Sequence, residues 1–170
     1  ETNIDIPQHD GRLKIKRVWL KPQPEINPNA RKAILEADLV IIGPGDLYTS
    51  LIPNLLVRGV KEALGKTKAK VIYFVNLMTK FGETNNFSAS DFLNAMKLYL
   101  GEGILDFAVI NNKKPSGQRL SGYVKERAEF VEPDLGNILP EKNFMPITAD
   151  LVRPSGLIRH DSEKVAKVVK

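Results

Sequence analysis

The sequence contains no cysteine, which removes disulfides, thiolate zinc sites and a cysteine nucleophile. Histidine is nearly as scarce. His9 lies in a Gln-His-Asp-Gly segment and His160 stands between Arg159 and Asp161, and neither has the i, i+4 partner of a helical metal site. Aromatic residues make up 7% of the chain, with one tryptophan. They are not interleaved with the basic residues as on a base-stacking surface, so no nucleic-acid partner is expected. No apolar run approaches the ~18–20 residues needed to span a bilayer, and no charged-then-apolar leader opens the chain. The expectation is a cytoplasmic protein with neither membrane insertion nor a secretion signal. No nucleophile, base and orienting group can be assembled, so no catalytic residue is assigned.

With 170 residues, 42% of them hydrophobic and 26% charged, the chain suits a single domain over residues 1–170. Folding would remove roughly 70% of the unfolded surface from water. The 25 basic and 20 acidic residues leave a net charge of +5. The basic residues are scattered (Lys14, Lys16 and Arg17; Lys66, Lys68 and Lys70; Lys113 and Lys114; Lys164, Lys167 and Lys170), as on an ordinary solvated surface.

Strands and helices alternate along the chain. Residues 14–20 (KIKRVWL) read as an edge strand with a wet lysine face, and residues 28–37 as a short helix capped by Asn27. The apolar run 39–42 has the composition of a parallel strand covered on both faces. A helix over 52–64 stopping at Gly65 follows, then a buried strand at 70–75 (KVIYFV). Phe92, Met96 and Leu100 give residues 88–100 a helical spacing, ending at Gly101. A third buried strand spans 107–110, ending at Asn111-Asn112. Beyond it, residues 118–128 read as a helix, 144–151 as a strand, and 161–169 as a helix capped by Asp161 or Ser162. This order predicts an α/β fold, a three-layer Rossmann-like parallel sheet. Ligands in such sheets collect beyond the carboxyl ends of the strands. Three strands end there in polar loops, at Gly43-Pro44-Gly45, Asn76 and Asn111-Asn112, which points to a small anionic ligand of the nucleotide kind.

The turn after the first buried strand, GPGDLYTS (residues 43–50), is open to two readings. Gly43 and Gly45 allow positive φ and close approach of a ligand. Thr49 and Ser50 offer hydroxyls, and the helix start offers N–H groups to an anion. The turn is neither a Walker loop nor a GxGxxG, and a sharp strand-to-helix corner explains it equally well. Asp46 would repel phosphate unless it faces away, bonds a ligand hydroxyl or holds a Mg²⁺. Asn76, Thr79, Glu83 and Thr84 can bond a ribose, sugar or phosphate, or one another in a polar loop. Asn111 can read a ligand edge or close a turn. Tyr123 by itself reads as a half-buried helix residue, Arg159 as a surface charge, and Asp91 as a carboxylate favouring its helix dipole.

Four ordered segments carry a family resemblance. GPGDLYTSLIPNLLV (43–57) resembles the GPGSLYTSxxPNLLV signature of the YvcK-type gluconeogenesis factors, relatives of the CofD 2-phospho-lactate transferases. NLMTKFGETNNFSASD (76–91) resembles their NxMTQxGETxxYTASD, YVKERAEFV (123–131) their YxxEGAxPV, and LIRHD (157–161) their xIRHD. This chain departs from the pattern at Asp46, where the family has Ser, at Lys80 and Phe81, where it has Gln and its neighbour, and at Arg127, where it has Gly. Ser162 stands where some relatives have a phosphorylatable threonine. Residues 1–7 resemble a GESxIP segment found midway through the family. The family's amino-terminal GGGTG and DDGGSSG stretches are not in this chain, so the resemblance implies a carboxyl-terminal half with an incomplete sheet and half of a ligand site.

The resemblance further implies a cytoplasmic protein that binds UDP-sugars such as UDP-N-acetylglucosamine and supports gluconeogenic growth and cell-wall shape. On that basis Tyr123 and Arg159 contact the nucleotide sugar, the ring by stacking and the guanidinium on the diphosphate. No cofactor is required for binding alone. The competing expectation is a phospholactyl-type transferase with a nucleotide-activated donor, which would need Mg²⁺, with Asp46 as its local ligand. A third is a structural or interaction module, a homodimer through an exposed sheet edge or a partner of cell-wall proteins.

Overall fold

The computed structural model describes residues 10–137 and 144–170; His9 and the 1–7 segment lie outside them. Four strands form one parallel sheet in the order β1-β2-β3-β4: β1 Leu39–Ile42, β2 Lys70–Phe74, β3 Phe107–Asn111 and β4 Met145–Ala149. The register sets Ile42 beside Tyr73, Phe74 beside Val109, and Asn111 beside Ala149. All four strands therefore deliver their carboxyl ends to one edge of the molecule.

Strand alternation divides the core in two. Val71, Tyr73 and Val75 of β2 and its exit, with Ala108 and Ile110 of β3, face Ile52, Phe92, Leu93 and Met96 of the first helical layer. Ile72, Phe74 and Val109 face the other way, onto Leu151, Val152 and Ile158 and the valines of the last helix. The first layer comprises α1 Pro28–Glu36, α2 Ile52–Leu55, α3 Val60–Lys66 and α4 Ala89–Leu100; a short α5 Gly117–Ser121 follows β3, and α6 Ser162–Val169 belongs to the second layer. The expected three-layer α/β architecture is present.

The caps follow the sequence. Asn27 accepts from the Asn29 N–H at 2.8 Å, Asp161 accepts from Glu163 and Lys164, and the Asp91 carboxylate reaches back to the Ser88 N–H at 2.9 Å. Ser162 is the first residue of α6 rather than its cap.

Three expected elements differ. Residues 14–20 form no regular element and pair with no strand among the described residues. Ile15 and Val18 pack on the first helical layer instead, and the Val18 N–H donates to the Tyr99 hydroxyl at 3.1 Å. The single helix expected over 52–64 is a π-helical turn Leu47–Leu51 running into α2, then a break before α3. The break is tertiary. The Arg58 N–H donates to the Pro24 carbonyl and its own carbonyl accepts from Ile26. Gly59 at φ +96 lies so close to Ile26 that a Cβ would stand 2.6 Å from its Cγ2. Gly65 sits inside α3, not beyond its end. The helix expected over 118–128 ends at Ser121, and i to i+3 bonds carry the chain from Tyr123 through Arg127.

Candidate functional site

The first strand end is packed and self-satisfied. At Gly43, φ is +80 and a Cβ would stand 3.3 Å from the Phe74 carbonyl of the neighbouring strand; at Gly45 it would stand 3.1 Å from Leu51. Backbone conformation and packing account for Gly43, and side-chain crowding by Leu51 accounts for Gly45. The N–H groups that open the π-helical turn, those of Tyr48 and Thr49, both donate to Oε1 of Glu83. A buried glutamate, 2% exposed, therefore occupies the place where an external anion was expected. Burial raises the Glu83 pKa above its ordinary value, and the two N–H donors and the Lys80 ammonium pull the other way.

The loop after β2 closes on itself in the same manner. Thr84 accepts from the Lys80 N–H at 2.9 Å, and Thr79 accepts from the Glu129 N–H at 2.9 Å. Asn111 accepts from Leu151 at 3.1 Å and donates to the Lys113 carbonyl at 2.8 Å. Thr79, Glu83, Thr84 and Asn111 are all buried. Their polar groups hold loops together, the alternative left open on sequence grounds.

A cleft of about 940 Å³ opens beside this region, lined by Pro44–Asp46, residues 76–81, residues 123–128 without Val124, and Arg153 with residues 158–160. Of the residues singled out in the sequence, the cleft unites Gly45, Asp46, Asn76, Thr79, Tyr123 and Arg159; Gly43, Thr49, Ser50, Glu83, Thr84 and Asn111 do not line it. The Asn76 amide donates to the Gly45 carbonyl at 3.0 Å, tying the first turn to the end of β2.

Arg159 reaches the cleft through a loop that returns on itself. The Arg153 N–H donates to the Arg159 carbonyl at 3.0 Å, and Val152 bridges His160 in antiparallel fashion. Arg119 clamps this loop, donating to the carbonyls of Arg153 at 2.8 Å, Leu157 at 3.1 Å and Gly156 at 3.2 Å. The Tyr123 hydroxyl accepts from the Ile158 N–H at 2.8 Å, so the ring lines the cleft while its oxygen holds the loop. His160 lies edge-on to Phe74 at 6.4 Å, and burial lowers its pKa despite a hydrogen bond to the Val75 carbonyl. Sequence reasoning passed over Arg119, because its partners lie 34 to 38 residues away.

The cleft is electropositive: Lys80, Lys125, Arg127, Arg153 and Arg159 face Asp46 and Glu126. Such a groove attracts anions and raises their local concentration. The departures from the family pattern meet here in two pairs. The Lys80 ammonium sits 2.7 Å from Asp46, and the Arg127 guanidinium lies 4.8 Å from the centre of the Phe81 ring. Arg127 takes φ +51, a backbone region in which a side chain costs roughly 1–2 kcal/mol. An exposed cation over a ring returns about 0.5–1 kcal/mol, so the fold gains nothing net from this arginine.

As a Mg²⁺ ligand Asp46 fits poorly. Its carboxylate already holds an ammonium, and the described residues contain no group of three or more His, Cys, Asp or Glu placed to hold a metal ion. No helix among them is long and apolar enough to cross a membrane.

Residues 1–152 match the family described as 2-phospho-L-lactate transferase CofD. The chain is 44% identical over 160 residues to a Thermotoga maritima protein named "Putative gluconeogenesis factor", covering 92% of this chain and 51% of that one. It is 38% identical over 166 residues to the Bacillus subtilis "Gluconeogenesis factor", covering 96% and 51%. A crystal structure of a UPF0052-family protein from Bacillus halodurans matches with a TM-score of 0.90 at 35% identity, over 99% of this chain and 53% of that one. The chain thus spans about half the length of the relatives it matches. With the family pattern spread over nearly all of its residues, this chain belongs to the CofD family and is similar, within it, to the gluconeogenesis factors.

Proposed function

We propose that the cleft binds a nucleotide sugar of the UDP-N-acetylglucosamine type, and that the protein acts through this binding as a cytoplasmic regulator of gluconeogenic growth and cell-wall synthesis. One observation carries the reading. Gly45, Asn76, Tyr123 and Arg159, separated widely in the chain, line one cation-rich cleft of about 940 Å³ at the carboxyl edge of a parallel sheet. Its volume is near the upper end of small-ligand sites, its guanidinium groups suit a diphosphate, and its position is the one where such sheets take ligands. The names of the relatives support the gluconeogenic part of this reading.

Calorimetry of the intact protein with UDP-N-acetylglucosamine tests the reading. Saturable heat is expected, and Arg159→Ala should weaken binding about tenfold or more, the scale of one lost charge-assisted contact. Tyr123→Ala should weaken it too, through the lost ring surface and a loosened Arg159 loop. No saturable heat, or heat indifferent to both substitutions, would dismiss it.

The family description favours a second reading, transfer of a phospholactyl-type group from a nucleotide-activated donor. When bound, a Mg²⁺ would neutralise phosphate charge in that reaction. The pairing of Asp46 with Lys80 gives it no local support. Product formation from such a donor would establish it directly.

A further inference from the structure

Arg127 adopts a backbone conformation that glycine enters freely and arginine does not. Side chains held against that preference concentrate where they do something for a ligand. Three observations show what this one could do. The guanidinium lies over the Phe81 ring at 4.8 Å, and a planar guanidinium over a ring has a second face to offer another planar group. The chain at Gly11 passes against the edge of the Phe81 ring, so close that a Cβ there would overlap it. Both residues line the cleft, and Arg127 is exposed while Phe81 is half-buried.

We infer that Phe81 and Arg127 form a stacked platform on which the nucleobase of the ligand lies, with Arg127 as the specificity-determining residue that separates nucleotide-linked sugars from simple sugar phosphates. The inference rests on the nucleotide-sugar reading of the cleft and assigns it a base subsite. Stacking of this kind uses the π-face every base possesses. The platform selects for the presence of a planar heterocycle, and the other cleft cations take the diphosphate.

The test uses the intact protein and two probes: UDP-N-acetylglucosamine, and inorganic diphosphate, which carries the charge and no base. Arg127→Gly removes the platform and suits the backbone, so it folds. It should bind UDP-N-acetylglucosamine at least fivefold more weakly while changing diphosphate affinity less than twofold. Arg127→Lys keeps the charge but not the plane and should resemble Arg127→Gly. Three results overturn the inference: unchanged nucleotide affinity in Arg127→Gly, full retention in Arg127→Lys, or an equal loss for both probes, which would make Arg127 a phosphate contact. Arg159→Ala separates this failure from failure of the wider reading. If it abolishes nucleotide binding while Arg127→Gly does nothing, only the platform falls; if the wild type binds no nucleotide sugar, both fall.

Discussion

Two parts of the sheet's carboxyl edge look alike in the sequence and differ in the structure. At the exit of β1, glycines, hydroxyls and a helix start suggest an anion cradle, yet the N–H groups of Tyr48 and Thr49 are spent on Glu83. Where residues 44–46 of that same turn meet the exits of β2 and β4, a plainer mixture of polar and basic residues opens into a cleft whose cations outnumber its carboxylates. The same donor chemistry serves folding in one place and is left available in the other. What separates the two is a single buried carboxylate delivered from 34 residues away. A glycine-rich turn before a helix is a ligand site only if the fold has not already supplied the anion.

Removing that carboxylate should break the comparison most severely. Glu83→Ala strands two N–H donors at the helix start, at a cost of roughly 1–3 kcal/mol for each buried donor. The expected loss is about 3 kcal/mol of stability, read from the midpoint of denaturant unfolding at unchanged m-value. Glu83→Gln keeps an acceptor oxygen and should lose about 1 kcal/mol. If Glu83→Ala unfolds at the wild-type midpoint, the internal anion is not what holds the turn.

The architecture was readable because buried parallel strands declare themselves as continuous apolar runs, as residues 71–74 and 107–110 do. The similar run Leu39–Ile42, expected to be covered on both faces, is instead an edge strand with Ile41 46% exposed. The elements that misled are those in which a distant partner decides. Residues 14–20 alternate like a strand but spend themselves on helix packing, and the expected long helix breaks where Arg58 pairs with the chain at 24–26. At the site, the residues with recognisable chemistry divide evenly. Gly45, Asn76, Tyr123 and Arg159 reach the cleft, while Thr49 and Glu83 bond each other across 34 residues, Asn111 accepts from Leu151, and Thr84 closes its own loop onto Lys80. The pairing of Asp46 with Lys80 and of Phe81 with Arg127 was present in the sequence only as separate departures.

A milder perturbation sharpens the other side of the comparison. Arg119 does not itself line the cleft yet holds three carbonyls of the loop that presents Arg159. Arg119→Ala should cost about 1–2 kcal/mol of stability, since charged donors to carbonyls on an exposed loop are partly replaced by water. Affinity for UDP-N-acetylglucosamine should fall several-fold, less than for Arg159→Ala. Arg119→Lys cannot fork to three acceptors and should lie nearer to alanine than to wild type. An Arg119→Ala protein with wild-type affinity would show that the loop keeps its shape without the clamp.

The smallest expected effect concerns His160, on the wall between the cleft and the second core. Burial holds its imidazole below the ordinary 6.5, so in the fold it takes a proton only at lower pH than in the unfolded chain. Between those two values the unfolded state binds more protons, and stability rises with pH. The contribution is complete above about pH 6.5 and is lost as pH falls through the folded value. Glu83 has the opposite sign: its raised pKa makes the folded state the better proton binder, so its share falls as pH rises from 4.5. The net profile mixes the two, and substitution separates them. His160→Asn removes the titration while keeping an amide that can donate to the Val75 carbonyl. Unfolding midpoints measured at about pH 7.5 and about pH 5 should differ less in His160→Asn than in wild type. Equal differences would mean that the ring is solvated enough to titrate normally, and that the cleft reaches deeper beneath Arg159 than the packing against Phe74 allows.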